Sequence, residues 1–305
     1  MRNTFATTIT NLAKERNDIV LLSGDIGNRM FDNFKEIAPD RFFNCGIAEA
    51  NMMSMAAGMG ISDLRPFVYT ITPFTTSRCF EQIKIGVAYH ESNVVIVGTG
   101  SGLSYAELGP THHSLDDLGI LRTIPSLTIY TPCDSKELEF CIQKTLKNNG
   151  PCYIRIGKKG EKNLSQSIQN PMSESINYIS KGNDIAIVGY GPILEEATIA
   201  NYELLKINKG LTIVSVLRFS PLNINFLDEL VRNGTKHLII LEEHYSSSGL
   251  YSKISEILLK ENIKFETVKP FGLQDKFINK LGKQQFIREK YNLDSKSLLR
   301  YINSL

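Results

Sequence analysis

The chain has no Cys-x-x-Cys spacing, no long hydrophobic run and no excess of charge of either sign. Five cysteines, odd in number and scattered, form neither a disulfide framework nor a zinc site and fit a reducing compartment. No stretch reaches the length of a membrane span, and Met1-Arg2-Asn3-Thr4-Phe5 lacks a hydrophobic signal core. A soluble, cytoplasmic protein with no membrane partner is therefore expected. Basic and acidic residues nearly balance, 34 against 32, which removes the electrostatic reason to expect nucleic acid. His112 and His113 are adjacent, the wrong spacing for two ligands on one helix face, and no cysteine or carboxylate cluster completes a metal site.

What is present is alternation. A length of 305 residues accommodates two domains, each with its own core. Apolar runs at 18–25, 65–70, 93–98 and 127–132 read as buried strands, with helical patterns at 4–16, 48–60, 80–90 and 135–147 between them. Strands at 185–189, 211–217 and 237–243 begin a second such unit. The pattern predicts an α/β fold of two doubly wound domains, the first with a parallel sheet, the second smaller. The boundaries are 1–162 for the first domain, 163–182 for a polar linker containing Ser165-Gln166-Ser167 and Asn170-Pro171, and 183–305 for the second. In such sheets function gathers at the carboxyl ends of strands.

One carboxylate stands out. Glu49 follows Gly46 and an apolar run, then opens a helix rich in Met, Ala and Gly. A helix-start acid favoured by the macrodipole is the plain reading; a poorly solvated acid poised for proton chemistry is the functional one. Gly98-Thr99-Gly100-Ser101-Gly102 mimics a dinucleotide fingerprint, but its third glycine comes one position early and no clear helix follows. Phe74, Arg78 and Phe80 follow a strand and a Thr72-Pro73 turn, where aromatics are more often core than stacking platforms. Arg155 and Lys158 follow the Tyr153-Ile154 run, where cations can hold an anion at a strand end, though charge alone reads them as solvated. The Ala56-Ala57-Gly58 stretch allows close helix approach, either between two copies or within one core.

Taken in order, these pieces resemble the C-terminal half of transketolase. More closely, they are similar to the small subunit of a split transketolase, over nearly the whole chain. The resemblance rests on Leu21-Leu22-Ser23-Gly24-Asp25-Ile26-Gly27, Cys45-Gly46-Ile47-Ala48-Glu49-Ala50-Asn51, the aromatic segment Phe74 to Lys84, and Gly109-Pro110-Thr111-His112. In the second domain it adds Leu241-Glu242-Glu243-His244 with Ser248-Gly249-Leu250. It implies a pyrimidine-binding thiamine diphosphate fold followed by a transketolase C-terminal domain, and two-carbon ketol transfer from a ketose to an aldose.

The resemblance also assigns roles. Glu49 would bond the N1′ ring nitrogen of thiamine diphosphate and favour the imino tautomer that takes the thiazolium proton. Phe74, with Phe80 as the alternative, would stack on the pyrimidine, and Ile47 and Asp25 would line the cofactor. His112 would contact the transferred unit and assist its proton transfers. Arg2, Ser23, Glu107, His113 and Lys158 would bind substrate, Lys158 standing where an Arg usually sits. Two positions depart from the family. Leu108 replaces the Asp that reads the acceptor's α-hydroxyl, and Gly100 replaces a phosphate-binding histidine, so an altered acceptor sugar is expected. The Gly-Asp-Gly that holds Mg2+ and the diphosphate does not occur. The resemblance thus implies a partner subunit carrying that half of the site, in an α2β2 heterotetramer. A 1-deoxyxylulose 5-phosphate synthase, a 2-oxo acid dehydrogenase β subunit and a non-catalytic scaffold subunit remain as alternatives.

Overall fold

A computed structural model describes residues 1–27, 29–165 and 174–305. The first half runs α1 (Arg2–Glu15), β1 (Ile19–Ser23), α2 (Asp32–Ile37), β2 (Phe42–Asn44), α3 (Glu49–Ile61), β3 (Arg65–Ile71), α4 (Thr72–Thr75), a π-helix (Gln82–Tyr89), β4 (Val95–Thr99), α5 (Asp117–Leu121), β5 (Thr128–Tyr130), α6 (Ser135–Lys147) and β6 (Cys152–Ile156). The second runs β7 (Ile176–Ser180), β8 (Ile185–Gly189), α7 (Leu194–Leu205), β9 (Thr212–Val216), β10 (Arg218–Ser220), α8 (Asn225–Arg232), β11 (His237–Tyr245), α9 (Leu250–Glu261), β12 (Thr267–Leu273), α10 (Gln284–Lys290) and α11 (Ser295–Ile302).

The first sheet has the order β10-β5-β6-β4-β3-β1-β2 and the second β12-β11-β8-β9-β7. Pairings are parallel except for β10 on β5 and β7 on β9. The central strands β1, β3, β4 and β6 are buried on both faces because both are covered. Val20, Leu22, Val68 and Ile96 face one core, while Ile19, Leu21, Phe67 and Val95 face the other. Strand β1 lies between β2 and β3, so the chain leaves β1 in one direction and returns on its other side. That reversal opens a crevice at the carboxyl ends of β1 and β3, the usual ligand position in a doubly wound sheet.

The expected strands and helices form within a residue or two of their limits, and α6 spans 135–147 as read. Ala56 and Ala57 are buried in their own domain's core beside the π-helix, which favours the intramolecular reading of the small-residue stretch. Two features escaped the pattern. Residues 176–180, placed in the linker, form β7, because a strand at a sheet edge needs only one apolar face, and its flanks are polar. Strand β10 joins a three-residue piece of the second half to the first sheet, with Arg218 opposite Tyr130, a length below what periodicity resolves. Residues 166–173 of the expected linker lie outside the described residues. Among the described residues, no helix is long and apolar enough to cross a membrane.

Candidate active site

Glu49 is the first residue of α3 and is 4% exposed. A buried carboxylate is costly unless a cation or donors meet it. Arg78 does so, its Nη1 donating to Glu49 Oε1 at 2.9 Å. The Arg78 side chain itself is 48% exposed, so the pair lies at the rim of the crevice. Its guanidinium lies over the Phe74 ring, 4.1 Å from the centroid. Phe74 in turn meets the His112 ring edge-on, with centroids 5.2 Å apart. These four residues come from the segments after β2, β3 and β4, which parallel strands deliver to one edge. Burial, then the nearby Arg78 charge, lower the basicity of His112 and leave a neutral imidazole at physiological pH, with Thr111 Oγ1 2.9 Å from Nδ1. Cys79, behind the pair, is pushed up to about 12 by burial and then by the Glu49 charge, so it stays a thiol.

A basic wall stands on the far side. Arg2 Nε donates to Tyr69 Oη at 3.0 Å, which leaves the rest of its guanidinium free to face a cavity of about 410 Å³ also lined by Arg29, Lys158 and Lys159. The Lys158 ammonium lies 4.4 Å from the centroid of the Tyr105 ring. Ser23 is buried, and its hydroxyl donates to the Ile26 carbonyl at 2.9 Å, shaping the turn after β1.

Other expected site residues are placed differently. His113 is buried, with Nε2 3.5 Å from the Ala106 carbonyl, and lines a separate cavity of about 420 Å³ with Asp116 and Tyr245. Glu107 is exposed on the turn Ala106–Leu108, beside an exposed Leu108. Phe80 packs partly buried against the core, whereas Phe74 faces Arg78 and His112. Asp25 is exposed and accepts from Asn44 Nδ2 at 3.0 Å, while Asn44 Oδ1 accepts from the Gly46 backbone, so the two turns before Glu49 are tied together. Ile47 is 85% exposed, an apolar side chain bare beside a buried acid.

Arg155, read as solvated, is the clearest correction. It is buried and donates through Nε to Asp117 Oδ2 at 2.8 Å and through Nη2 to the Ser114 and Glu243 carbonyls. Tyr153 donates to the same carboxylate oxygen. Glu243 receives the Leu103 amide and, at 2.5 Å, Arg288 Nε, while Glu242 receives the first amides of α9 and the Tyr190 hydroxyl. Burial opposes charge on Asp117, but Arg155 and then His244 hold its carboxyl below the usual range. This seam joins the two halves. Glu242, Glu243 and His244 stand in a family motif, but the sequence gives no sign that they meet Arg155 and Asp117, which read as ordinary surface charges until the domains meet. Sequence reasoning also missed Arg78 as the partner of Glu49; a lone cation 29 positions away carries no local signal.

The crevice bears on whether an aminopyrimidine ring would fit. The Arg78 guanidinium is planar and cationic, and it both stacks on Phe74 and bonds Glu49. A planar nitrogen heterocycle seeks those same two contacts, so the residues suit it. Among the described residues, no group of three or more His, Cys, Asp or Glu side chains could hold a metal ion.

A parallel doubly wound domain with this acid and aromatic at its switch point, followed by a second α/β domain, defines the class of pyrimidine-domain subunits of thiamine-dependent enzymes. The model of the transketolase pyrimidine binding domain matches residues 1–161, and that of the transketolase C-terminal domain matches residues 174–293. The chain belongs to the transketolase family. It is 30% identical to one of the apulose-4-phosphate transketolase subunits of Actinobacillus succinogenes, covering 88% of this chain and 85% of that one. It is 28% identical to a 6-deoxy-6-sulfo-D-fructose transketolase subunit of Clostridium sp. strain MSTE9, covering 98% and 92%. Among solved structures it is similar to a split-gene transketolase described as an inactive β4 tetramer, with a TM-score of 0.86, 27% identity and coverage of 99% and 96%. The chain is thus a small subunit of the split transketolase kind, a transferase as part of a two-subunit enzyme, and its family implies thiamine diphosphate dependence.

Proposed function

We propose that this chain supplies the pyrimidine half of a ketol-transfer site and works, in the cytoplasm, only beside a second subunit that holds the diphosphate and Mg2+. The observation that carries this reading is the buried Glu49 carboxylate and the Phe74 ring, bridged by the planar Arg78 cation that bonds the one and stacks on the other. When bound, thiamine diphosphate supplies the nucleophilic carbon that takes up and passes on the two-carbon unit. Glu49 holds a proton at the pyrimidine N1′, and Phe74 and Ile47 orient the ring and exclude water from it. Asp25, through Asn44, holds the turn that presents Glu49. His112, neutral at physiological pH, moves protons at the ketol oxygens. Arg2 and Lys158 hold an anionic end of the sugar, with Ser23 shaping their wall.

The assembly is α2β2. The absent Gly-Asp-Gly supports a partner, as does the similar split-gene chain that is inactive as a tetramer of β subunits alone. The acceptor is not an ordinary pentose phosphate. Leu108 cannot accept a hydrogen bond from the acceptor's α-hydroxyl. Separately, relatives of this length are named for apulose-4-phosphate and for 6-deoxy-6-sulfo-D-fructose, the latter a ketose and therefore on the donor side.

The test is copurification with the product of the neighbouring gene, followed by thiamine diphosphate, Mg2+ and a panel of ketoses and aldoses. Two-carbon transfer is expected only with both subunits, and Glu49→Gln should lower it by about 10²–10⁴-fold. Turnover by this chain alone would refute the partner. Full activity of a Glu49→Ala complex would favour a scaffold role instead.

A further inference from the structure

We propose that Tyr105 is the acceptor-specificity residue of this site, an aromatic divider between the reacting end at His112 and the basic cavity of Arg2, Arg29, Lys158 and Lys159. The inference rests on the functional reading above and names what that site selects: an acceptor ending in a tetrahedral oxyanion whose middle carbons are read by shape. The placement of the ring carries it. Tyr105 is 9% exposed, its centroid is 6.0 Å from that of His112, and the Lys158 ammonium lies 4.4 Å from it on the cavity side. Gly100, at the carboxyl end of β4, makes room for it. A Cβ there would collide with the Tyr105 ring, and the φ of +82° disfavours any L side chain.

The ring therefore occupies the space into which a side chain at position 100 would point. A hydrogen-bonding group at that edge is replaced by an apolar face. Leu108, exposed on the turn four residues before His112, adds a second side chain that accepts no hydrogen bond from a sugar hydroxyl. What remains polar is the charged end, where the ring face holds the Lys158 ammonium by cation–π attraction beside Arg2. An acceptor with its aldehyde at His112 must pass along the ring to reach those cations. The terminal anion supplies the attraction, and the fit of the intervening carbons against Tyr105 supplies the selection.

Phosphate and sulfonate share this chemistry, and separate titrations distinguish them. Inorganic phosphate and methanesulfonate are titrated into the full chain by calorimetry, comparing wild type with Tyr105→Phe, Tyr105→Ala and Gly100→Ala, each checked for folding by circular dichroism. Binding of at least one anion is expected, retained by Tyr105→Phe and weakened about 10-fold by Tyr105→Ala and Gly100→Ala. In the two-subunit enzyme, Tyr105→Ala should lower kcat/KM for D-erythrose 4-phosphate relative to glycolaldehyde about 10-fold, through KM. Binding of neither anion overturns the proposal, as does a Tyr105→Ala chain that binds like wild type or an equal loss for both acceptors. If the wild-type complex transfers no ketol unit to any acceptor, the functional reading fails while the titrations still decide the role of Tyr105.

Discussion

At the scale of single residues, Glu49 and Arg78 govern each other. Burying a carboxylate costs several kcal/mol without a partner, and the pair at 2.9 Å removes that cost. Because Arg78 is half exposed, water screens its side of the bond, and the net gain is about 1 kcal/mol or less. The arginine can therefore leave cheaply when a ring takes its place on Phe74. Arg78→Met in the reconstituted enzyme should tighten thiamine diphosphate about fivefold, read as Kd by calorimetry. Weaker binding would mean that Arg78 grips the cofactor rather than yielding to it.

Among the elements, α6 shows how one side chain secures several segments. Asp134 caps the helix by accepting from the Glu137 amide at 2.9 Å, and its other oxygen receives the Leu164 and Ser165 amides at 2.8 Å and the Ser165 hydroxyl. Asp134→Ala removes a cap worth about 1 kcal/mol and strips the Leu164 and Ser165 amides of their acceptor at about 1 kcal/mol or more each, while the Ser165 hydroxyl can turn to another partner. A loss of about 3 kcal/mol is expected, seen as a lower urea midpoint at unchanged slope. The cap was readable, since Asp134 directly precedes the helical pattern 135–147. Its second grip was not, because Leu164 and Ser165 lie thirty residues on.

Across the whole molecule, the seam between the halves makes stability depend on pH. His244 is fully buried, and burial pushes its imidazole down to about 4, with Asp117 opposing and Nε2 3.8 Å from Asp117 Oδ1. Unfolded, it titrates near 6.5. The unfolded chain thus binds more protons between pH 6.5 and 4, so this contribution is complete above about 6.5 and is lost as pH falls toward 4. From pH 7 to 5 the loss is about 2 kcal/mol, to be measured by urea unfolding at both values. A His244→Gln chain should show a flatter profile over that interval; an equally steep one would place the titrating group elsewhere. Asp117, held low, contributes in a separate, more acid window.

The sequence by itself determined what local chemistry can carry. Period and composition specify two alternating α/β units, because covered parallel strands must be apolar throughout and the helices between them amphipathic. The family motifs placed Glu49, Phe74 and His112 in segments that follow strands, and the structure brings those three together. Only the tertiary structure decided which cation meets Glu49, that His113 turns away from His112, and that Arg155 is buried in a seam instead of solvated. It likewise decided that Tyr105 fills the space above Gly100. Each of these depends on segments far apart in the chain meeting at one sheet edge. Burial and pairing of a charge are properties of that meeting, not of the residue that bears it.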